Sequence, residues 1–244
     1  ADLNVQKIDF GNSTLEDIER LLKNGANPDV QHTGWTPLML ICCQRKTSLR
    51  AVKALLEAGA NPNIKNKRGE TALMLASENS TNIAGSEIIK IVKALLEAGA
   101  DANAAEEADE STPLMHACWN KNLKISPDIV RKLLNAGANP RTETSQRTAL
   151  TIACNRKNPS SEIVKELLAR NVDVNHVQQS TRSRPLIDVF YCPEGSVVCN
   201  SKGLVVYSPE SIQEIQIIVS AILSKGADPN VQDKAGKVPL LGAC

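Results

Sequence analysis

The nine residues VKALLEAGA stand at Val52–Ala60 and again, unchanged, at Val92–Ala100. Looser copies keep the same outline: LLKNGANPD from Leu21, LLNAGANPR from Leu133, LLARNVDVN from Leu167 and ILSKGADPN from Ile222. A second motif alternates with the first, as TPLMLICC from Thr36, TALMLASE from Thr71, TPLMHACW from Thr112 and TALTIACN from Thr148. Degenerate copies, RPLIDVFY from Arg184 and VPLLGAC from Val238, complete the series. Self-similarity of this kind marks a repeat architecture, in which one small unit cannot bury its apolar face alone and stacks on its neighbours.

The motifs have a local physical reading. Ile88, Ile91, Val92, Leu95 and Leu96 fall at i, i+3, i+4, i+7 and i+8, one face of a helix. Ile129, Val130, Leu133 and Leu134 repeat that stripe, as do Ile215, Ile218, Val219, Ile222 and Leu223. Ser126-Pro127-Asp128 and Ser208-Pro209-Glu210 read as N-cap, first-turn proline and first-turn acid. Gly25, Gly59, Gly99, Gly137 and Gly226 stand where a left-handed C-terminal cap is needed, with Asn171 in the same slot. The Thr-Pro-Leu segments begin shorter helices, with threonine as the cap.

Spacing separates what is fixed from what is free. From each LL start to the next threonine position the distances are 15, 16, 17, 15, 17 and 16 residues. From each threonine position to the following LL they are 19, 24, 21, 19 and 38. One connection is held to length while the other tolerates insertion, as expected where stacked units keep register on one edge and loops grow on the other.

Alternating TPLxxAx and LLxxGAxxN motifs over Leu15 to Cys244 resemble the ankyrin repeat. The resemblance implies an all-α, ankyrin-type solenoid of about six helix–turn–helix repeats, joined by hairpin-like fingers, in one domain spanning 1–244. The helix–helix loops are longer than the family's usual. The family's histidine after TPL is replaced by Met39, Met74, Met115, Thr151, Ile187 and Leu241, so its polar contacts should be absent. The largest insertion, 193–210, holds two β-branched runs around Asn200-Ser201-Lys202-Gly203 and is expected to form a small β-hairpin. Because Ala1 opens the chain and Cys244 falls inside a motif, the sequence reads as a fragment of a longer chain extending past its C-terminus.

Composition narrows the function. Lys and Arg number 28 against 27 for Asp and Glu, a net charge of +1, so no bulk attraction to nucleic acid or anionic membrane arises. No apolar run approaches a membrane span. Seven cysteines, none in a CxxC pair, with four at an equivalent point of the repeat, read as packing residues. Free thiols favour an intracellular, cytoplasmic or nuclear setting. No GxGxxG, P-loop, GxSxG or HExxH string occurs, and His116-Ala117-Cys118 points its imidazole and thiol in different directions on a helix. The expectation is a non-enzymatic chain with no cofactor and no bound metal. A pocket joining His116 to a carboxylate would reopen catalysis.

The resemblance places binding on the finger tips and on the exposed ends of the short helices. Those rows hold Trp35 and Gln44; Glu70 and Glu78; Ser111, Trp119 and Asn120; Arg147, Asn155 and Arg156; and Tyr191. Lys67 and Arg68 make one finger basic, and Asp109 and Glu110 make the next acidic. Only six aromatics occur, and Trp35, Trp119 and Tyr191 sit in these rows, where Trp and Tyr dominate hot spots. Alternating charge suits a protein partner better than a uniform polyanion. The competing reading is ligand or oligonucleotide sensing, with bases stacked on Trp119 beside Arg147 and Arg156.

Overall fold

The computed structural model describes residues 15–44, 48–80, 86–122, 124–144, 147–155, 159–179, 181–190, 198–199, 205–206 and 209–239. Read as one domain from its sequence, the chain groups into two compact units, Ala1–Asn139 and Pro140–Cys244. In the first, long helices α1 (Leu15–Lys23), α3 (Leu49–Glu57), α5 (Ser86–Glu97) and α7 (Ser126–Asn135) alternate with short helices α2 (Pro37–Cys43), α4 (Ala72–Glu78) and α6 (Pro113–Trp119). The long helices pack in sequence, α1 on α3 on α5 on α7, and the short ones as α2 on α4 on α6. The result is two helical layers. Val52, Leu55, Leu73, Ile88, Ile91, Val92, Leu95, Ile129, Val130 and Leu133 are wholly sealed between them. Each such side chain contributes about 1.5–3 kcal/mol by leaving water.

The second unit repeats the scheme with α8 (Ala149–Cys154), α9 (Ser161–Leu168), α10 (Pro185–Phe190) and α11 (Pro209–Ser224), α8 packing on α10 and α9 on α11. Strands β1 (Val198–Cys199) and β2 (Val205–Val206) lie between α10 and α11 and pair antiparallel, Val198 opposite Val206. The expected hairpin is present in these strands, while Asn200-Ser201-Lys202-Gly203 lies outside the described residues. At the last long helix the stripe is less covered: Leu223 is 40% exposed and Val219 half-buried, where Val52, Val92, Val130 and Val164 are sealed.

Helix ends follow the sequence with three corrections, the first being Thr112, which stands at the N-cap of α6 but makes no side-chain cap bond. Thr36, Thr71 and Thr148 accept the N–H groups of Met39, Met74 and Thr151 at 3.3, 3.4 and 3.2 Å. The return contact, expected to vanish with the family's histidine, survives in altered form. Thr151 Oγ1 accepts the Thr148 N–H at 2.9 Å, and Met74 Sδ accepts that of Thr71 at 3.4 Å. Ser126 is not an N-cap. It is the first residue of α7, and its hydroxyl donates to Ala117 O at 2.7 Å, tying the long helix to the short one before it. Ser208 lies outside the described residues. The five cap glycines have φ between +80° and +89°, and Asn171 holds +52° in their place.

Two asparagine ladders fix the pitch of the stack. In the GANPN segments one Asx side chain closes a turn and a second reaches the next repeat. Asn63 donates to Gly99 O at 2.9 Å and accepts from Asp101 N at 2.7 Å. Asn103 does the same with Gly137 O and Asn139 N, and Asn175 with Gly226 O and Asp228 N. The other ladder runs along the short-helix ends. Asn79 donates to Cys42 O and Gln44 O, and Asn120 to Ser77 O and Asn79 O.

Candidate functional site

At the base of these fingers a backbone N–H donates to the carbonyl of the residue before the cap, whose own N–H is taken by a side chain of the finger. Asn66 N donates to Glu70 O, Glu106 N to Ser111 O, Thr144 N to Arg147 O and Gln178 N to Ser183 O, all near 3.0 Å. Adjacent fingers in the first unit lie very close. A β-carbon on Gly69 would come within 2.4 Å of Glu107 N, and Glu107 N donates to Arg68 O at 3.4 Å. With φ at +81°, glycine is required there for both reasons. A β-carbon on Gly34 would likewise come within 3.0 Å of Lys67 Cγ, which sets the Trp35 finger against the basic one.

These approaches bring several of the expected binding residues together. Trp35 is half-buried; Lys67, Arg68, Asp109 and Glu110 are exposed on successive fingers. At the short-helix ends Gln44 is half-buried, Glu78 exposed and Trp119 half-buried. In the second unit Arg147 is exposed and Asn155 half-buried, while Arg156 and Tyr191 lie outside the described residues. Three residues are corrected. Asn120, Ser111 and Glu70 are 0%, 1% and 8% exposed, respectively, and so do not face solvent. The Asn120 amide belongs to the ladder above. Glu70 accepts the Asn66 side-chain amide at 2.6 Å.

The residue whose partners the sequence did not reveal is His116. Its Nδ1 lies 3.1 Å from Glu78 Oε2 and its Nε2 2.6 Å from Glu106 Oε1, so one imidazole joins the end of α4 to the next finger. The Trp119 indole meets the same ring edge-on, with centroids 5.8 Å apart and planes at 80°. Burial opposes protonation of His116, but hydrogen bonds and charge from Glu106 and Glu78 outweigh it, and its pKa rises to about 9. The same bond to His116 holds Glu78 below the ordinary carboxylate range. With both ring nitrogens engaged and the proton retained, His116 serves as an ion-pair centre rather than a base. Among the described residues no group of three His, Cys, Asp or Glu is placed to hold a metal ion.

Asp188 occupies the corresponding place in the second unit. Ser183 Oγ donates to its Oδ1 at 2.6 Å and Gln178 Nε2 to its Oδ2 at 3.0 Å. Burial pushes its pKa up to about 7 against these bonds, with Arg147 lowering it and Asp233 raising it. Cys42, Cys118 and Cys154 are in no disulfide and are buried, as packing residues should be, and Cys43 is exposed. Burial raises the Cys42 thiol far above its usual range. No helix among the described residues is long and apolar enough to cross a membrane.

Comparison with known proteins agrees with this architecture. The pattern for ankyrin repeats (three copies) matches residues 8–104 and 83–178. The chain belongs to the ankyrin repeat family. No curated protein matches it. The solved ankyrin repeat domain of Bcl-3, a unique member of the IkappaB protein family, is similar at 22% identity and a TM-score of 0.64, over 96% of this chain and 90% of that one. The human ASB11 ankyrin repeat domain gives 23% identity and a TM-score of 0.67, over 95% and 87%. At such identities the likeness is one of fold. Ankyrin repeat domains are generally protein–protein interaction modules.

Proposed function

We propose that the first unit docks a partner protein on the strip formed by Trp35, Lys67, Arg68, Asp109 and Glu110 on its fingers and by Gln44, Glu78 and Trp119 on its short-helix ends. The observation that carries this reading is the seating of Trp119. Its ring is half-buried and meets edge-on the His116 imidazole that the exposed Glu78 also bonds, so the aromatic is preorganised by a charged neighbour. The basic and acidic fingers beside it supply a sign pattern that selects a partner of complementary order. In the second unit Arg147 and Asn155 remain candidate contacts, with Arg156 and Tyr191 beyond the described residues. The chain acts in this reading as a non-enzymatic scaffold, adaptor or regulatory arm in an intracellular setting.

Trp119→Ala tests the strip. Binding to a captured partner should weaken by about tenfold or more, while the melting temperature moves by only a few degrees. An unchanged affinity, or a collapse of the fold, would refute the reading.

A further inference from the structure

The second unit contains a cleft that the strip does not use. It encloses about 330 Å³, with Pro140 and Val172 as apolar wall and Arg141, Glu143, Asp173 and His176 as its polar lining. We propose that this cleft takes the cationic end of a lysine or arginine side chain from a partner protein. The inference rests on the reading of the chain as a protein-docking domain.

Three observations converge on that ligand. The first is His176, only 8% exposed, whose ring makes no hydrogen bond. Its Nδ1 approaches Glu143 Oε1 at 3.7 Å, beyond hydrogen-bond range. The ring lines the cleft, so nitrogens without a protein partner are open to a group that enters it. The second is the charge of the lining. Glu143 and Asp173 give two carboxylates against the single guanidinium of Arg141, which already donates Nε to Asn171 O at 3.1 Å. Asp173 Oδ1 accepts the Asn175 N–H at 2.8 Å, and Oδ2 has no protein donor. An anion would be pressed against both carboxylates; a cation meets them with favourable charge. The third is fit. The volume is at the small end of ligand pockets, enough for one long side chain. Pro140 and Val172 can cover its methylene stem. Two carboxylates and an imidazole nitrogen offer three acceptors to the three N–H donors of an ammonium group or to the fork of a guanidinium.

The test is an NMR titration of the 244-residue chain at low ionic strength with Nα-acetyl-lysine methylamide and with Nα-acetyl-arginine methylamide. Saturable shifts should appear at Val172, Asp173 and His176, with a Kd on the order of millimolar, and should weaken with added salt. Glu143→Gln combined with Asp173→Asn should lower affinity by about fivefold or more. Arg141→Gln, which removes the competing cation, should raise it, a gain that a damaged fold cannot imitate. The neutral isostere Nα-acetyl-norleucine methylamide should leave the cleft unmoved. Shifts that do not saturate, an equal response to norleucine, indifference to the acidic pair, or weaker binding by Arg141→Gln would each overturn the proposal. None of these outcomes bears on Trp119, whose own test decides the strip separately.

Discussion

His116 and Asp188 hold the same place in the repeat and opposite charge. Each stands ten residues after the first residue of its finger hairpin, Glu106 or Gln178, and five after a buried serine, Ser111 or Ser183. Under the first finger the imidazole finds two carboxylates and keeps its proton. Under the second the carboxyl finds a hydroxyl and an amide, and burial pushes it toward the neutral form. The slot beneath a finger thus imposes a location and no charge. What the finger offers decides which ionisation state the short helix tolerates.

The most damaging way to test that contrast is His116→Ala. It leaves Glu106 largely buried without a counter-ion and removes the ring supporting Trp119. Stability in urea at pH 7 should fall by about 3–5 kcal/mol. A loss below 1 kcal/mol would mean that the ion pair is ornamental.

Titration of the wild type comes next. Folding raises the pKa of His116 from its usual 6.5 to about 9, so its contribution is complete below pH 6.5 and disappears as pH climbs through about 9. The stability lost over that window is at most about 3 kcal/mol. In Glu106→Gln the window should narrow and move toward neutrality. A wild-type stability flat from pH 7 to 10 would break the assignment.

Asp188 behaves with the reverse preference. Its pKa rises from 3.8 to about 7 on folding, so the folded state favours the neutral carboxyl and stability declines as pH rises from about 4 to 7. Asp188→Asn should therefore be more stable than the parent at pH 8, by about 1–2 kcal/mol. At pH 4 the order should invert, because the amide cannot accept from both Ser183 and Gln178. Thermal melting at the two pH values reads the crossing directly. A variant less stable at both would show that Arg147 holds the carboxylate ionised.

Much of this organisation is legible in the sequence, for a definite reason. Apolar residues at helical spacing, caps and left-handed glycines are local signals, and Ile88, Val92, Leu95, Gly99 and Thr71 fall where they place them. Even the hairpin at Val198–Cys199 and Val205–Val206 follows from two β-branched runs. Two of the misplaced residues, Asn120 and His116, have partners distant in sequence, whereas Glu70 meets Asn66 four residues away and Ser126 meets Ala117 nine away. Asn120 looks solvated because a polar residue at a helix end normally is, yet its amide meets carbonyls 41 and 43 residues away. His116 gains Glu78 across 38 residues. Ser126 mimics an N-cap in every local respect, and only the adjacent turn of α6 reveals where its hydroxyl goes. Periodicity finds the apolar face of a repeat. It does not say which polar groups the neighbouring repeat will meet.

The smallest predicted effect concerns a place where the two units differ in their ladders. Asn63 and Asn103 each join a cap carbonyl and a following N–H of the next repeat. At the corresponding position Arg141 supplies the donor alone, from Nε to Asn171 O, and Asp173 N–H has no acceptor among the described residues. Arg141→Asn would restore both bonds in the geometry that Asn175 uses with Gly226 O and Asp228 N. Because these groups are exposed, water already satisfies much of their demand, and the gain should be only about 0.5 kcal/mol. Urea denaturation resolves that difference when the midpoint shifts at constant slope. A loss of similar size would instead show that the further contacts of the Arg141 guanidinium outweigh a second ladder bond.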